Sequence, residues 1–326
     1  MVAKIGYKSY LGFEDETTFG TAVQPADYLE YNSESLSLEI TEQNIEAING
    51  SRQYTKRVRL DRNAGGGIDF PLVPGSILKQ MRHLSGDAGT ISTLVAGAEF
   101  SWTFVFNDLN TNSSFTFQAC RDTGDTSTTF NYTGSKINTA DFTVDSGGVL
   151  NTALDIMSKD QVAADTISTA SFQTLNPYTF VDGTISVGNS TSVATVASVN
   201  NFSLNVANNL LENRSLGDAT RDCIEPGMQD ITGSVNMKYE DNIQLNRFLN
   251  NTRSYLKAEF DTGVTISTTN THKVTFEMFN CYFNGTTPNI GAASEIIRHD
   301  LPFRSIFDAA SSGSLKVTIV TNQATI

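Results

Sequence analysis

Hydrophobic and polar residues alternate one by one in short runs along the chain. Residues 35–40 (SLSLEI) and residues 201–206 (NFSLNV) are two clear examples. Because successive side chains of a strand point to opposite faces of a sheet, this alternation predicts strands with one buried face. Thr, Ser, Asn and Gly are abundant between such runs and favour turns. The pattern predicts a mainly-β fold built from antiparallel sheets.

The alternating runs recur at a nearly constant spacing, which indicates an internal duplication. The run at 35–40 precedes the run at 201–206 by 166 positions. The runs GGIDF (66–70) and GSVNM (233–237) alternate in the same way and lie 167 positions apart. Chance similarity among β-rich segments is the alternative explanation.

Two further pairs of segments follow the same order. Residues 77–84 and 243–249 both have the spacing of short amphipathic helices, with Ser76 and Asp241 as plausible N-caps. Strand-like runs follow at 115–118 (FTFQ) and 274–277 (VTFE). We therefore expect two tandem units, residues 1–165 and residues 166–326. Each unit would contain a strand, a long loop, a second strand, one short helix and several further strands.

The long loop lies at the same place in both predicted units. Residues 41–65 form the first arm and residues 207–232 the second arm, and the two have nearly the same length. Loops longer than about 15 residues are uncommon in compact domains and usually have a function. Two arms of matched length at matching places suggest that one functional loop occurs twice in the chain. Because Val58 and Leu60 alternate with arginines, part of the first arm is expected to form a strand or hairpin.

The two arms differ in charge. The first arm concentrates basic residues in a chain whose net charge is −13, whereas the second mixes arginines with acidic residues. We expect the arms to contact different surfaces of other subunits, because an acidic protein offers partners for a basic arm. A solvated charged loop is the alternative. The expected contact residues are Arg52, Lys56, Arg57, Arg59 and Arg62 in the first arm, with Arg214 and Arg221 in the second.

Composition argues against several classes of protein. An acidic chain is a poor binder of nucleic acid, because neutralising phosphates supplies most of that affinity. Three cysteines without close spacing give no disulfide framework, and we expect buried free thiols. No apolar run is long enough for a signal peptide or a membrane helix.

The sequence contains no catalytic or metal-binding pattern. The three histidines are scattered, and neither a nucleophile elbow nor a P-loop is present. Gly65–Gly67 is expected to form a bulge or tight turn before a strand rather than a phosphate cradle. Residues 122–125 (DTGD) are expected to form a solvated turn, since the calcium-loop pattern is incomplete. Trp102 is expected to pack in the core. We therefore expect no enzymatic activity, no cofactor and no metal.

Several segments resemble, in order, those of phage tail tube proteins. The stretch Gly12–Ala22 with Pro25 resembles the opening of that family. A polar strand like Glu34–Leu36, a Gly-Ser-Arg like Gly50–Arg52 and a Gly-rich strand like Gly65–Leu72 then follow. The resemblance rests on the order and spacing of these segments rather than on any one motif.

This resemblance implies a structural virion protein. Each unit would fold as two packed antiparallel sheets with one flanking helix, similar to type VI secretion tube proteins. Units would form rings whose inner strands join in one barrel, and long loops would connect stacked rings. Such rings commonly have six-fold symmetry, so tandem units imply a homotrimeric ring with pseudo-six-fold symmetry.

The resemblance also implies partners and a location. Besides other copies of itself, the chain would meet tape-measure, tail-tip and tail-terminator proteins. Phage DNA would pass through the lumen without specific binding, and no membrane would be involved. The protein would be part of the virion tail and would assemble in the host cytoplasm.

Other functions remain as alternatives. A β-sandwich binding module or a phage receptor-binding adhesin is the main rival, although neither needs two equal arms. A capsid-decorating protein and a tail terminator are further possibilities within phage structure. An enzyme ranks below these.

Overall fold

The computed structural model describes residues 3–107, 114–123, 125–164, 166–189, 193–195, 198–285, 287–290 and 293–326. Strands account for 51% and helices for 8% of the structure. The expected mainly-β fold is confirmed.

The strands before residue 165 come in the following order: β1 (Tyr10–Asp15), β2 (Asp27–Leu29), β3 (Ser33–Glu34), β4 (Ser37–Asn44), β5 (Arg57–Pro71), β6 (Thr90–Val95), β7 (Glu99–Phe106), β8 (Phe115–Cys120), β9 (Thr129–Asp145), β10 (Asn151–Ser158) and β11 (Asp160–Ala163). The later strands are β12 (Gly183–Gly188), β13 (Val193–Thr195), β14 (Val199–Ala207), β15 (Leu211–Asn213), β16 (Cys223–Glu225), β17 (Asp230–Lys238), β18 (Ser254–Thr265), β19 (Thr271–Phe283), β20 (Arg298–Ser305) and β21 (Leu315–Thr321). The helices are α1 (Leu78–Ser85) and α2 (Ile243–Leu249), with short 3₁₀ turns at Gly6–Lys8, Thr126–Thr128 and Phe180–Asp182.

A central antiparallel sheet runs through both halves of the chain in the order β4–β5–β10–β9–β14–β17–β20. The junction between the halves is the pairing of β9 with β14. It extends from Asn201 opposite Asp145 to Ala207 opposite Thr139. The two halves are therefore joined by main-chain hydrogen bonds as well as by the linking peptide.

Two further sheets flank the central one, the first built from strands of the first half and the second from strands of the second half together with β6 and β7 of the first. The first has the order β2–β1–β8–β9–β11, and the second has the order β13–β12–β18–β19–β21–β7–β6. The long strands β9 and β19 each run from a flanking sheet into the central one. The buried apolar side chains form one cluster, in which the rings of Phe142 and Phe276 lie 5.1 Å apart.

The two helices lie where the amphipathic spacing predicts them. In α1 the side chains of Leu78, Met81 and Leu84 are buried. The expected N-cap role of Ser76 is wrong, because its hydroxyl donates to the Val73 carbonyl (2.8 Å) instead of accepting from the helix. In α2 the carboxylate of Asp241 does accept from the Ile243 N–H (2.9 Å).

The glycine triplet lies inside a strand, in agreement with the Gly-rich strand of the resemblance, and forms neither the bulge nor the tight turn expected before a strand. Gly65, Gly66 and Gly67 are in the middle of β5, whose 15 residues extend well into the segment expected to be a loop. At Gly66, φ is +144° and an added Cβ would lie 2.4 Å from the Ser35 carbonyl oxygen. Glycine is needed here because neighbouring backbone leaves no room for a side chain. A strand without side chains has no alternation, which is why the sequence suggested a turn.

A buried carboxylate ties β7 to the turn between β18 and β19. Glu99 accepts hydrogen bonds from the backbone N–H groups of Thr268 (2.8 Å) and Asn270 (3.2 Å) and from the Ser267 hydroxyl. The hydrogen bonds from Ser267 and this turn hold the pKa of Glu99 far below its ordinary value. Glu99 thus fixes an element of the first half to the second half. The expected core position of Trp102, on the same strand, is confirmed by its 7% exposure.

The close approach at Gly66 predicts a large effect of one methyl group. Gly66→Ala should lower the free energy of unfolding by about 2 kcal/mol or more, because the backbone must shift away from Ser35. Chemical denaturation would measure the change. Gly6→Ala is the control, since no atom lies within 4 Å of an added Cβ there. Equal stability of the two variants would contradict the packing described.

The environment of Glu99 predicts a specific pH dependence. Because the pKa of this carboxyl is depressed in the folded state, its stabilising effect is complete above the ordinary carboxyl range. It should be lost as the pH falls below about 4.5, where the unfolded chain binds a proton first. Glu99→Gln should therefore lower the melting temperature at pH 7, and the difference from the native chain should narrow on acidification. A difference that is independent of pH between 7 and 3 would refute this role.

Candidate assembly surface

The first arm is an exposed hairpin formed by the ends of β4 and β5. Gln43 pairs with Val58 and Asn44 with Arg57, and the Ile45 N–H donates to the Lys56 carbonyl (3.0 Å). The loop proper is thus confined to residues 46–55, shorter than the sequence suggested. Ile48 and Tyr54 in this loop are largely exposed, at 109% and 61%. The expectation of a partial hairpin in this arm is confirmed.

The basic side chains of the first arm fall into two groups. Arg57 and Arg59 both contact Glu42 on the opposite strand, Arg59 at 3.3 Å. Arg62, at the base of the arm, pairs with Asp160 of β11 (2.7 Å). Within the described part of the chain, Arg52 and Lys56 form no ion pair. The tip of the arm therefore presents free positive charge.

The second arm has the same hairpin but lies on the chain itself. In its two short strands β15 and β16, Leu211 pairs with Glu225 and Asn213 with Cys223. The backbone contacts the base of the first arm, where the Arg62 N–H donates to the Ala219 carbonyl (2.9 Å). Ile224 is fully buried, and its carbonyl accepts from the Lys136 ammonium (2.7 Å). Burial lowers the pKa of Lys136 from its ordinary value.

Two arginines fasten the second arm. Arg221 is only 7% exposed and donates to the carbonyls of Ala64 (2.8 Å) and Ser158. It also contacts Glu212, and this hydrogen bond lowers the pKa of that carboxyl. Arg214 donates to the Arg62 carbonyl (3.3 Å). Both arginines thus serve contacts within the chain, and the geometry gives no support to their expected place at a subunit interface. Residue type alone could not distinguish an internal partner from an external one.

The outer edge of the central sheet is formed by β4. Among the described residues, β4 pairs only with β5, so its other edge carries no partner strand. Just before β4, the Leu36 N–H donates to Glu34 (2.7 Å), and the Leu36 carbonyl accepts from Arg121 and Tyr132 (both 2.9 Å). Side chains therefore cover the start of this edge, and the backbone of β4 beyond it is available for pairing.

The described residues contain no group of three or more His, Cys, Asp or Glu side chains that could hold a metal ion. Asp122 and Asp125, in the expected solvated turn, both contact the ammonium of Lys4. Cys120 and Cys281 are free and buried as expected, whereas Cys223 is partly exposed. No helix among the described residues is long and apolar enough to span a membrane.

Arg221 provides a test of how the second arm is held. Arg221→Ala removes a buried donor to two carbonyls and the ion pair with Glu212, and it should lower the free energy of unfolding by about 3 kcal/mol. Limited proteolysis should then cut within residues 208–229. Arg52→Ala is the control, because this exposed arginine has no ion pair among the described residues and its loss should leave stability within about 0.5 kcal/mol. An arm that stays protected in Arg221→Ala would contradict the assigned role.

Comparison with known proteins identifies the family. No curated protein matches the chain. The family described as phage tail tube protein matches residues 6–305, which include both arms, both helices and the whole central sheet. The chain therefore belongs to the phage tail tube protein family, whose members are structural components of the virion tail.

Proposed function

We propose that this protein forms rings that stack into a tail tube, and that the lumen of the tube conducts DNA during ejection. The observation that carries the proposal is the central sheet. Inside the chain, β9 of the first half pairs with β14 of the second half, while the outer edge of β4 is open. A ring closed through such edges leaves no strand edge exposed.

We also propose that the two halves are tandem copies of one unit, as the sequence predicted. Matching contacts support this. The Ser35 hydroxyl accepts from the Gly67 N–H (2.9 Å), and the Ser203 hydroxyl accepts from the Ser234 N–H (3.0 Å). An added Cβ on Gly66 would strike the Ser35 carbonyl, and one on Gly233 would strike the Ser203 carbonyl.

Strand pairing also matches between the halves. The pairs β1–β8, β8–β9, β9–β10, β10–β5, β5–β4 and β9–β11 correspond to β12–β18, β18–β19, β19–β20, β20–β17, β17–β14 and β19–β21. The equivalence differs in detail from the sequence alignment. Residues 115–118 take the place of β18 rather than of residues 274–277, and Ser35 corresponds to Ser203 rather than to Asn201. The second shift is by two positions, so the buried face is unchanged.

The matched arms support the same proposal. Gln43 opposite Val58 corresponds to Leu211 opposite Glu225, and Asn44 opposite Arg57 corresponds to Glu212 opposite Ile224. One hairpin thus occurs twice, once packed on its own chain and once exposed. An exposed hairpin with free positive charge is suited to bind another subunit.

Ring symmetry and partners follow from the tandem units. Three chains supply six units, so the proposed ring is a homotrimer with pseudo-six-fold symmetry. Tape-measure, tail-tip and tail-terminator proteins are the further partners that a tail tube requires. A net charge of −13 suits a lumen that DNA crosses without binding, since like charges repel. The proposal includes no catalysis and no cofactor, and it places assembly in the host cytoplasm.

Imaging of the purified, concentrated protein tests the function. Negative-stain micrographs should show hollow tubes or stacked rings, with three-fold or pseudo-six-fold end views. Rings of six chains would contradict the trimer. Particles that stay monomeric even with tail-tip complexes as nuclei would refute the tube and favour a binding module or an adhesin.

Charge reversal in the first arm should separate assembly from folding. Arg57→Glu with Arg59→Glu should abolish tubes, because it reverses the charge of the arm that is proposed to bind another subunit. The circular dichroism spectrum should stay native, because both side chains are exposed and solvent screens the new repulsion with Glu42. Lys238→Glu is the matched control, since among the described residues the Lys238 ammonium forms only an exposed ion pair with Glu240.

A further inference from the structure

We propose that the first arm lies sideways across the second half of the neighbouring chain in the same ring. This inference rests on the proposed ring of tandem units. It differs from the expectation that both arms connect one ring to the next, and it assigns a receiving surface on the partner copy. The contact between the two halves of one chain is the template for the contact between two chains.

The template is the path of the second arm. It leaves β14 at the junction with β9 and crosses back over the first half. There it contacts the middle of β5 at Arg62 and Ala64, the end of β10 at Ser158, and Lys136 in β9. These strands all belong to the central sheet of the first half. The arm therefore lies over the unit to which its own strand β14 is paired, and it does not extend away from the sheet.

The strand register places equivalent residues in the second half. Gly66 corresponds to Gly233, so the base of the first arm at Arg62 and Asn63 corresponds to Gln229 and Asp230. Ile156 pairs with Gly66, and Phe303 pairs with Gly233. Ser158 in β10 therefore corresponds to Ser305 in β20. Through the pairs Ile137–Ile156 and Phe283–Phe303, Lys136 corresponds to Tyr282.

This equivalent surface is open within a single chain. The side chain of Asp230 is 41% exposed. Its carboxylate forms an ion pair with the exposed guanidinium of Arg304 (3.0 Å) at the surface. Next to Ser305, Ile306 and Phe307 are exposed to 44% and 60%. The surface thus combines an acidic group with apolar side chains that nothing covers in the described part of the chain. Such a combination is typical of an interaction surface.

The first arm is complementary to this surface. Counted back along the chain from Lys56 and Cys223, the last matched pair members, Ala219 takes the place of Arg52 and Arg221 that of Tyr54. Because Ala219 contacts the base of the first arm, Arg52 of a neighbouring chain would lie at Gln229 and Asp230, where its charge is opposite to that of Asp230. Tyr54 and Ile48 supply exposed apolar area that can cover Ile306 and Phe307. The occupant of the surface is therefore a second copy of this chain.

An engineered disulfide tests this arrangement. Arg52→Cys with Gln229→Cys, in a Cys223→Ser background, places one thiol on the arm and one on the proposed receiving surface. Assembled protein would be oxidised and separated on a denaturing, non-reducing gel, with electron microscopy of the same sample. A sideways contact closes on itself after three chains, so most of the protein should shift to a trimer band with none larger. Arg52→Cys with Lys238→Cys is the control, because Lys238 lies at the opposite end of β17 from Asp230.

Each outcome decides between the alternatives. A trimer band with tubes supports both proposals. A trimer band from rings that do not stack supports the sideways arm and refutes the tube. Tubes without the cross-link, or with a ladder that continues past three chains, would overturn the sideways arm and leave the tube intact. Protein that forms neither rings nor cross-links would overturn both.

Discussion

The structure depends on the hydrogen-bonding needs of strand edges. Every backbone N–H and carbonyl in a strand requires a partner, and a sheet that ends in solvent offers its last strand to other chains. In this chain the pairing of β9 with β14 meets that need between the halves. The shared apolar core and the second arm both meet this junction: Phe142 of β9 packs against Phe276 of the second half, and the second arm begins where the Asn208 N–H donates to the Asn138 carbonyl of β9.

The two arms illustrate how one backbone shape takes different roles through its side chains. At equivalent positions the second arm has the fully buried Ile224 and the first arm has Arg57, which contacts Glu42 in solvent. An apolar residue and a buried arginine fix the second arm to its own chain. Arg52 and Lys56 at the tip of the first arm form no ion pair within the described residues, and in the proposed ring the surface of a neighbouring chain would neutralise them. Under the proposed duplication, divergence of side chains on one hairpin would be sufficient to separate internal packing from assembly.

Much of the fold could be predicted from the sequence, and the failures have physical reasons. Alternation identified the strands and the 3.6-residue spacing identified both helices, since both patterns reflect burial of one face. Gly65–Gly67 was misplaced because glycines carry no side chain that could reveal a pleat. Under the proposed duplication, the sequence alignment of Ser35 is displaced by two residues, a shift that preserves the buried face and so leaves no trace in the pattern. Arg214 and Arg221 were expected to make outward contacts, because the backbone carbonyls that they bind leave no mark on a sequence.

Joining two units in one chain also changes the kinetics of closing a ring. At the β9–β14 junction the partner strand is tethered, so it is present at a high effective concentration whatever the concentration of protein. Half of the joints in the proposed ring would then form without any loss of translational freedom between molecules. Dilution would slow only the formation of the strand pairings between different chains. A fused pair would thus allow ring closure at protein concentrations at which separate units would stay dispersed, and the number of partly closed intermediates would be smaller.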